Sequence, residues 1–226
     1  MPGVHERFLA FFTQLVGGAD ARRDTLRILD AGTGHGALAQ RLHEQGFEVA
    51  ACDLFPERFR YAPVEVRQAD LTQRLPYADA SFDVVVAIEV MEHLVDHLTF
   101  VRECHRVLKP GGRLVISTPN VLSLKSRVRF LLSGFFYSFK PLDPENTDGL
   151  QHVAALTLDQ LGYLAHRAGL VVETVAADRY QTTSRWLLWL VPLVYAYTRL
   201  AGLPYRLHNS TALLLGRILF VVFRKS

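Results

Sequence analysis

Apolar and polar positions follow two different periods along the chain, one typical of helices and one typical of buried strands. Apolar residues at helical spacing mark the segments that we predict to be helices, and shorter apolar runs between them mark the strands. The predicted helices cover residues 5–16, 37–45, 96–108 and 157–168. The predicted strands cover residues 26–30, 47–53, 64–70, 82–88, 113–117, 170–175 and 218–223.

The order of these elements predicts the class of fold. Helices and strands alternate, which is typical of an α/β protein with an open, doubly wound parallel sheet covered on both faces. Ligands of such sheets bind beyond the carboxyl ends of the strands, so the residues that follow strands are the first candidates for chemistry. We expect a single domain over residues 1–226.

Composition excludes several classes of protein. The chain has 226 residues, of which 50% are hydrophobic and 21% charged, so it is neither disordered nor collagen-like. Its two cysteines, Cys52 and Cys104, form no disulfide framework and lack the spacing of metal ligands, which fits a reducing compartment. We see no signal peptide and no apolar run of about 20 residues, and therefore expect a cytoplasmic protein without a membrane-spanning helix.

Charge is distributed unevenly along the chain. Residues 179–226 contain seven basic residues and no Asp or Glu; because the whole chain carries +3, the remainder carries −4. Aromatic and basic residues also mix at 121–140, and residues 186–197 form an uncharged aromatic run interrupted by Pro192. Tryptophan and tyrosine flanked by arginine suit a membrane interface, here the inner face. The alternatives are an internal cap or a homodimer face, whereas the high apolar fraction disfavours nucleic acid.

A glycine-rich turn, Asp30-Ala31-Gly32-Thr33-Gly34-His35-Gly36, follows the first predicted strand. Glycines at such a turn let a ligand approach the backbone closely. The turn also satisfies the dinucleotide fingerprint, with Asp53 about 20 residues further on. However, a carboxylate at Asp30 would repel a pyrophosphate and attract an ammonium or sulfonium group. S-adenosylmethionine (SAM) carries both cations, and Asp53 is placed to bind its ribose hydroxyls; a turn without a ligand is the plain structural alternative.

Together with other motifs, this turn makes the chain resemble the class I SAM-dependent methyltransferases of the ubiquinone-biosynthesis O-methyltransferase kind. The resemblance covers about residues 25–180 and implies a Rossmann-like seven-stranded sheet with an antiparallel last strand. It is carried by residues 28–36, Asp53, Ala69-Asp70-Leu71, the segment 81–94 and the segment 107–120.

The resemblance also implies where SAM binds. The methionine part would lie over the glycine-rich turn, the ribose on Asp53 and the adenine near Asp70. The implied cofactor-binding residues are Asp30, Ala31, Gly32, Thr33, Gly34, Gly36, Asp53, Leu54, Asp70, Leu71, Ile88 and Glu89. Two less motif-like segments, at about 121–156 and 180–210, are expected on the side of the methyl acceptor.

A second constellation, Glu89-Val-Met-Glu92-His93, directly follows the fourth predicted strand. If a helical turn begins there, Glu89, Glu92 and His93 share one face, and His152 could add a further ligand. Carboxylates and imidazoles suit Mg²⁺ or Mn²⁺. The pattern resembles two metal-dependent branches, the ubiquinone-biosynthesis O-methyltransferases and the small-RNA 3′-end 2′-O-methyltransferases. The alternative is ordinary, because Glu-His-Leu also occurs in metal-free relatives, with His93 in a structural or acceptor-side role.

The sequence thus predicts a SAM-dependent methyltransferase, with O-methylation of a diol or phenol on an amphipathic or lipid-linked small molecule. Methyl transfer needs alignment of the two substrates, and an oxygen acceptor also needs a base or a metal. His93 and His152 are the candidate catalytic residues. The alternatives are a metal-free methyltransferase of a soluble metabolite or glycan, a SAM-binding protein without transfer activity, and an NAD-binding module.

Overall fold

The computed structural model describes residues 3–17 and 25–226. Within these residues seven strands form one sheet, and each lies where the sequence predicts a strand. The strands are β1 (Arg27–Ala31), β2 (Glu48–Asp53), β3 (Val66–Gln68), β4 (Phe82–Ile88), β5 (Leu108–Pro119), β6 (Leu170–Ala177) and β7 (Ile218–Lys225). The helices of the described residues are α1 (Val4–Leu15), α2 (Ala37–Glu44), α3 (His97–Val107), α4 (Leu124–Ser133), α5 (Leu158–Arg167), α6 (Thr182–Trp186), α7 (Val191–Leu200), α8 (Tyr205–His208) and α9 (Thr211–Leu215).

The strands are arranged in the order β3-β2-β1-β4-β5-β7-β6. The first five strands pair in parallel, while β7 runs antiparallel to both β5 and β6. This arrangement confirms the Rossmann-like, doubly wound sheet with an antiparallel last strand. The direction of winding reverses between β1 and β4, so the carboxyl ends of these two neighbours form the crevice in which such sheets bind ligands.

Side chains of β4 alternate between two hydrophobic clusters, one on each face of the sheet. Val85 and Ala87 pack with residues of α3 and α5 on one face. Val84 and Val86 pack with residues of α1 and α2 on the other face. All four side chains are buried, which explains the continuous apolar run of this strand. Helices cover both faces, so the edge formed by the strand ends is left to bind ligands.

Strand β5 begins at Leu108, earlier than the predicted start at residue 113. The Lys-Pro-Gly-Gly segment is part of the strand, and the β4–β5 register shifts beside it. A Cβ atom on Gly112 would lie 2.9 Å from the carbonyl oxygen of Lys109. Glycine is therefore required at position 112, because two backbone segments approach closely where the strand pair is irregular. A Pro-Gly-Gly segment is also typical of the end of a helix, so its sequence does not distinguish the two.

The segments 121–156 and 180–210 contain helices that the sequence does not predict. Helix α7 has no buried residue and its sequence is apolar on nearly every side, so no single apolar stripe predicts it. Asn120, at the end of β5, holds the end of α9, because its Nδ2 donates to the carbonyl oxygens of Leu213 and Gly216 at 2.7 and 2.9 Å. Among the described residues, no helix combines the length and apolar character needed to cross a bilayer.

Candidate active site

The glycine-rich turn connects β1 to α2 at the predicted crevice. The backbone N–H groups of Gly32 and Thr33 both donate to the carbonyl oxygen of Cys52, at 2.8 and 3.2 Å, which holds the turn against the end of β2. Gly32 has a φ of 77°, and a Cβ atom there would lie 2.6 Å from the Val90 side chain. At Gly34 the φ is 56°, but a Cβ atom would meet nothing within 4 Å. The turn is therefore packed at its base and open at its tip, where a ligand can reach the backbone.

Asp30, at the end of β1, is buried beneath this turn. Its Oδ2 accepts a hydrogen bond of 2.7 Å from the Thr33 hydroxyl. Burial raises the pKa of Asp30 to about 6, although the bond from Thr33 opposes the shift. A cationic ligand over the turn would favour the ionised form. The carboxyl is thus placed to interact with an ammonium or sulfonium group.

Asp53, at the end of β2, is bonded to the tip of the same turn. Its Oδ2 accepts from the backbone N–H of Gly34 at 2.8 Å, and its Oδ1 accepts from that of Phe55 at 2.9 Å. A carboxylate can accept about four hydrogen bonds. The carboxylate is therefore oriented by the backbone and retains acceptor sites for the two hydroxyls of a ribose.

The remaining predicted cofactor residues follow β2, β3 and β4. Leu54, directly after β2, is exposed, whereas Leu71, after β3, is buried and its Cδ1 lies 3.5 Å from the position of a Cβ atom on Gly32. Asp70 is exposed, and its Oδ1 accepts from the backbone and the hydroxyl of Thr72 at 2.8 and 2.7 Å. The structure thus brings acids and apolar side chains from three strand ends around one turn, although their contact with SAM stays a prediction.

Glu89 follows Ile88, the last residue of β4, in an unusual conformation. Its φ is 56°, in the left-handed region, which costs a residue other than glycine about 1–3 kcal/mol and is most frequent at functional sites. The Ser117 hydroxyl of β5 accepts from the Glu89 backbone at 2.8 Å and donates to its Oε1 at 3.0 Å. The Glu89 carboxylate is therefore held against β5.

The next turn, Met91–His93, is a short 3₁₀ helix that places two further side chains of the constellation at the same edge. The ligand atoms of Glu92, His93 and His152 all lie within 4.8 Å of one another. His152 reaches this position because the backbone N–H groups of Val153 and Ala154 donate to the carbonyl oxygen of Glu92, at 2.8 and 3.1 Å. Backbone pairing therefore fixes the loop that carries the distant histidine.

The two imidazoles have different partners. Nδ1 of His93 lies 2.9 Å from the carbonyl oxygen of Gln151. Since a carbonyl can only accept, Nδ1 carries a proton, and in the neutral ring Nε2 presents its lone pair. The ring of His152 lies 5.0 Å from that of His93 and 5.3 Å from that of Phe139. Burial lowers the pKa of His152, and His93 adds to the effect, so His152 is held in the neutral form that binds metals.

The carboxylate of Glu92 has unsatisfied acceptors. Both oxygens are buried and form no hydrogen bond of good geometry with any described residue, although the Thr118 hydroxyl lies nearby. His152 Nδ1 is buried and equally unpaired within the described residues. Burial raises the pKa of Glu92 well above its usual value, and the Glu89 carboxylate adds to this effect. A buried group of this kind costs about 1–3 kcal/mol when unpaired, and a divalent cation would satisfy it.

The sequence-based hypothesis of one helical turn requires Glu89, Glu92 and His93 to share one face. In the structure Glu89 does not share the face of the other two. Only residues 91–93 are helical, and the left-handed conformation of Glu89 turns its carboxylate to Ser117. Three of the four predicted ligands are thus close together, and Glu89 lies outside this group. Sequence reasoning also missed Ser117 and Gln151. Ser117 could have been found as a hydroxyl near the end of a buried strand, but Gln151 contributes its backbone carbonyl, which leaves no signal in the sequence.

Comparison with known proteins agrees with this geometry. Residues 29–116 match the profile of the family described as "Methyltransferase domain". The ubiquinone biosynthesis O-methyltransferase of Xylella fastidiosa is 33% identical over 166 residues, which cover 69% of this chain and 65% of that protein. The mitochondrial ubiquinone biosynthesis O-methyltransferase of Homo sapiens is 31% identical over 176 residues, which cover 73% of this chain and 46% of that protein.

A shorter match is closer in sequence. A "Probable S-adenosylmethionine-dependent methyltransferase" of Mycobacterium tuberculosis is 47% identical over 106 residues, which cover 44% of this chain and 38% of that protein. The chain thus spans between about two fifths and two thirds of the length of these curated relatives.

Solved structures agree on the fold. The S-adenosylmethionine-dependent methyltransferase of Mesorhizobium loti has a TM-score of 0.59 at 20% identity, over 99% of each chain. A SAM-dependent methyltransferase of Archaeoglobus fulgidus has a TM-score of 0.57 at 19% identity, over 98% of this chain and 93% of that one. The matched profile and relatives, together with a sheet order that agrees with them, support a class I SAM-dependent methyltransferase.

Proposed function

We propose that the protein transfers the methyl group of SAM to a hydroxyl oxygen of a diol or phenol, with a divalent cation held by Glu92, His93 and His152. The observation that carries this proposal is the unpaired, buried Glu92 carboxylate beside two imidazoles at the carboxyl end of β4. The name of the relatives that are ubiquinone biosynthesis O-methyltransferases supports oxygen as the acceptor atom.

The donor set fits a cation such as Mg²⁺ or Mn²⁺. Glu92 supplies charge, and the Gln151 carbonyl orients the His93 ring so that Nε2 can bind. When bound, such a cation lowers the pKa of a hydroxyl and holds it in place. The other groups of the chain position the donor, because Asp53 orients the ribose and Asp30 lies below the methionine part. Alignment of this kind supplies much of the rate of a displacement reaction.

The test is transfer of labelled methyl from SAM to a panel of catechols and vicinal diols. We expect transfer that stops after treatment with EDTA and returns when Mg²⁺ or Mn²⁺ is added. Full activity of the EDTA-treated protein would remove the cation from the proposal. No transfer to any acceptor, despite tight SAM binding, would support a SAM-binding protein without activity.

A metal-free methyltransferase of a soluble metabolite or glycan is the second candidate. It is favoured by the raised pKa of Glu92, because a neutral carboxyl needs no cation. In that case the bond between His93 and Gln151 would be purely structural. Activity that is insensitive to EDTA separates this candidate from the first.

We also propose that helices α6 and α7 contact the surface of a membrane at its inner face, where a lipid-linked acceptor would be found. Trp186 and Trp189 are 79% and 67% exposed, and α7 has no buried residue. Arg185 and Arg199 flank this surface, and each basic residue near an anionic membrane contributes about 1 kcal/mol. Exposed tryptophans flanked by arginine favour the boundary between headgroups and acyl chains.

A further inference from the structure

Two neighbouring cavities on the acceptor side of the sheet differ in chemical character. The first has a volume of about 380 Å³ and is lined by three basic side chains, Lys125, Arg179 and Arg217, together with Tyr137. None of the described residues that line it is acidic. The second has a volume of about 450 Å³ and is mainly apolar. Lys125 and Thr183 line both, so the two cavities adjoin.

The basic cavity lies at the same edge of the sheet as the candidate active site. Arg179 follows the end of β6, and Arg217 immediately precedes β7. The backbone N–H of Arg217 donates to the carbonyl oxygen of Arg179 at 3.1 Å, and the carbonyl oxygen of Arg217 accepts from Asn120 at 3.1 Å. Asn120 follows the last residue of β5, the strand whose Ser117 holds Glu89. The cavity is thus beside the strand ends that carry the proposed chemistry.

The charge inside this cavity is predominantly positive. The Lys125 Nζ atom lies 3.7 Å from the centre of the Tyr137 ring, a cation–π contact. Arg179 is 3.8 Å from Asp178, but that carboxylate is buried, is also 3.5 Å from Arg7 and accepts from the Ile218 backbone. Asp178 is therefore shared between two arginines, and none of the described residues that line the cavity itself is acidic. Arginine and lysine in this arrangement suit a phosphate group.

The apolar cavity is a groove between α4 and the turn that follows α6. Its apolar lining comes from Val128, Leu132, Phe135 and Leu187, and Arg129 and Ser133 also line it. Leu132 is 79% exposed, which places the outer end of the groove in contact with solvent. The groove thus reaches solvent at Leu132 and adjoins the basic cavity at Lys125.

We propose that the methyl acceptor is an amphiphilic phosphate ester, whose phosphate binds among Lys125, Arg179 and Arg217 and whose hydrocarbon chain lies in the groove. This inference rests on the proposed function and names the substrate class of the same site. The positive charge of the cavity is complementary to a phosphate, and the apolar lining of the adjoining groove is complementary to a hydrocarbon chain. The part of the acceptor beyond the phosphate would extend toward the ends of β4 and β5.

Calorimetric binding of farnesyl phosphate, farnesol, glucose 1-phosphate and inorganic phosphate to the full chain tests the proposal. We expect farnesyl phosphate to bind at least about tenfold more tightly than each of the other probes. Arg179→Gln should weaken the binding of farnesyl phosphate about tenfold without affecting the binding of farnesol. Leu132→Ser should weaken the binding of both farnesyl phosphate and farnesol. The matched controls Arg102→Gln, at an exposed position of α3, and Val171→Ser, at the exposed start of β6, should change the binding of neither farnesyl probe.

Three results would overturn the proposal. Equal binding of farnesol and farnesyl phosphate would mean that the cavity does not bind phosphate. Equal binding of glucose 1-phosphate and farnesyl phosphate would mean that the groove holds no chain and that the acceptor is a soluble phosphate ester. Binding of none of the probes would mean that the cavity and the groove do not hold an amphiphilic phosphate ester. Because binding is measured without methyl transfer, an inactive protein with the expected preference would refute the proposed function alone.

Discussion

The His93 ring and the Gln151 backbone, 58 residues apart in sequence, are joined by a hydrogen bond of 2.9 Å between Nδ1 and the carbonyl oxygen. This bond has two effects at once. It fixes which nitrogen of His93 carries its proton, and it holds the loop that places His152 beside Glu92. The loop is also bonded through Val153 to the Glu92 carbonyl, so the candidate metal ligands depend on one backbone arrangement.

Replacement of Asp53 tests the cofactor assignment. Because its carboxylate is oriented by Gly34 and Phe55, Asp53→Ala should weaken SAM binding by about tenfold or more, the loss expected for charge-assisted hydrogen bonds. Asp159→Ala, an exposed acid in the first turn of α5, is the matched control and should leave binding unchanged. Calorimetry should also show that the wild-type protein binds SAM and not NAD. The opposite preference would refute the assignment.

Asp30 should link SAM binding and stability to pH. Its carboxyl titrates near 3.8 when unfolded and near 6 when folded, so the native state binds the proton more tightly and stability falls as pH rises through this window. Asp30→Asn should therefore stabilise the ligand-free protein at pH 7.5, by on the order of 1–3 kcal/mol. The same change should weaken SAM binding, because a neutral side chain attracts cations less.

Denaturant unfolding and SAM titration at pH 5 and pH 7.5 check both effects. The stabilisation by Asp30→Asn should shrink at the lower pH, where the wild-type carboxyl is largely protonated. A variant that is both less stable and equally able to bind SAM would contradict the role given to Asp30.

Much of this arrangement can be predicted from local sequence. The strands and the turn from Asp30 to Gly36 are predictable because burial on both faces and close backbone approach leave few residue types possible. The left-handed conformation of Glu89 and its bond to Ser117 are not, because they depend on contact between two strands. Helix α7 is not predictable for a different reason, since its sequence is apolar on nearly every side and shows no distinct stripe.

Glu92→Gln should stabilise the protein in the absence of divalent cations. Burial makes ionisation of Glu92 unfavourable, so the wild-type protein should lose stability as pH rises above the unfolded carboxyl's value, and the glutamine variant should not. We expect a difference of about 1–3 kcal/mol at pH 8, measured by denaturant unfolding in EDTA. Glu57→Gln, at an exposed turn, is the matched control. A glutamine variant that is less stable than wild type at pH 8 would mean that the Glu92 carboxylate has a partner that stabilises it.

The exposed aromatic surface of α6 and α7 should bind anionic vesicles. The protein should co-sediment with vesicles of phosphatidylglycerol and phosphatidylcholine, less at high salt because charge attraction is screened. Trp186→Ser combined with Trp189→Ser should reduce binding, whereas Tyr163→Ser, an exposed aromatic of α5, should not. The wild-type protein could instead fail to bind these vesicles at low salt and sediment as a dimer in ultracentrifugation. If the tryptophan variants then sediment as monomers, the surface is an interface between copies.

The stoichiometry of Mn²⁺ binding, measured by titration calorimetry on metal-free protein, tests the cation site most directly. We expect one strong Mn²⁺ site per chain in the wild-type protein, and its loss in both Glu92→Gln and His152→Ala. Glu57→Gln and His166→Ala, at positions remote from the cluster, should retain it. No Mn²⁺ site in the wild-type protein, or one that survives both cluster variants, would contradict the assignment of a cation to Glu92, His93 and His152.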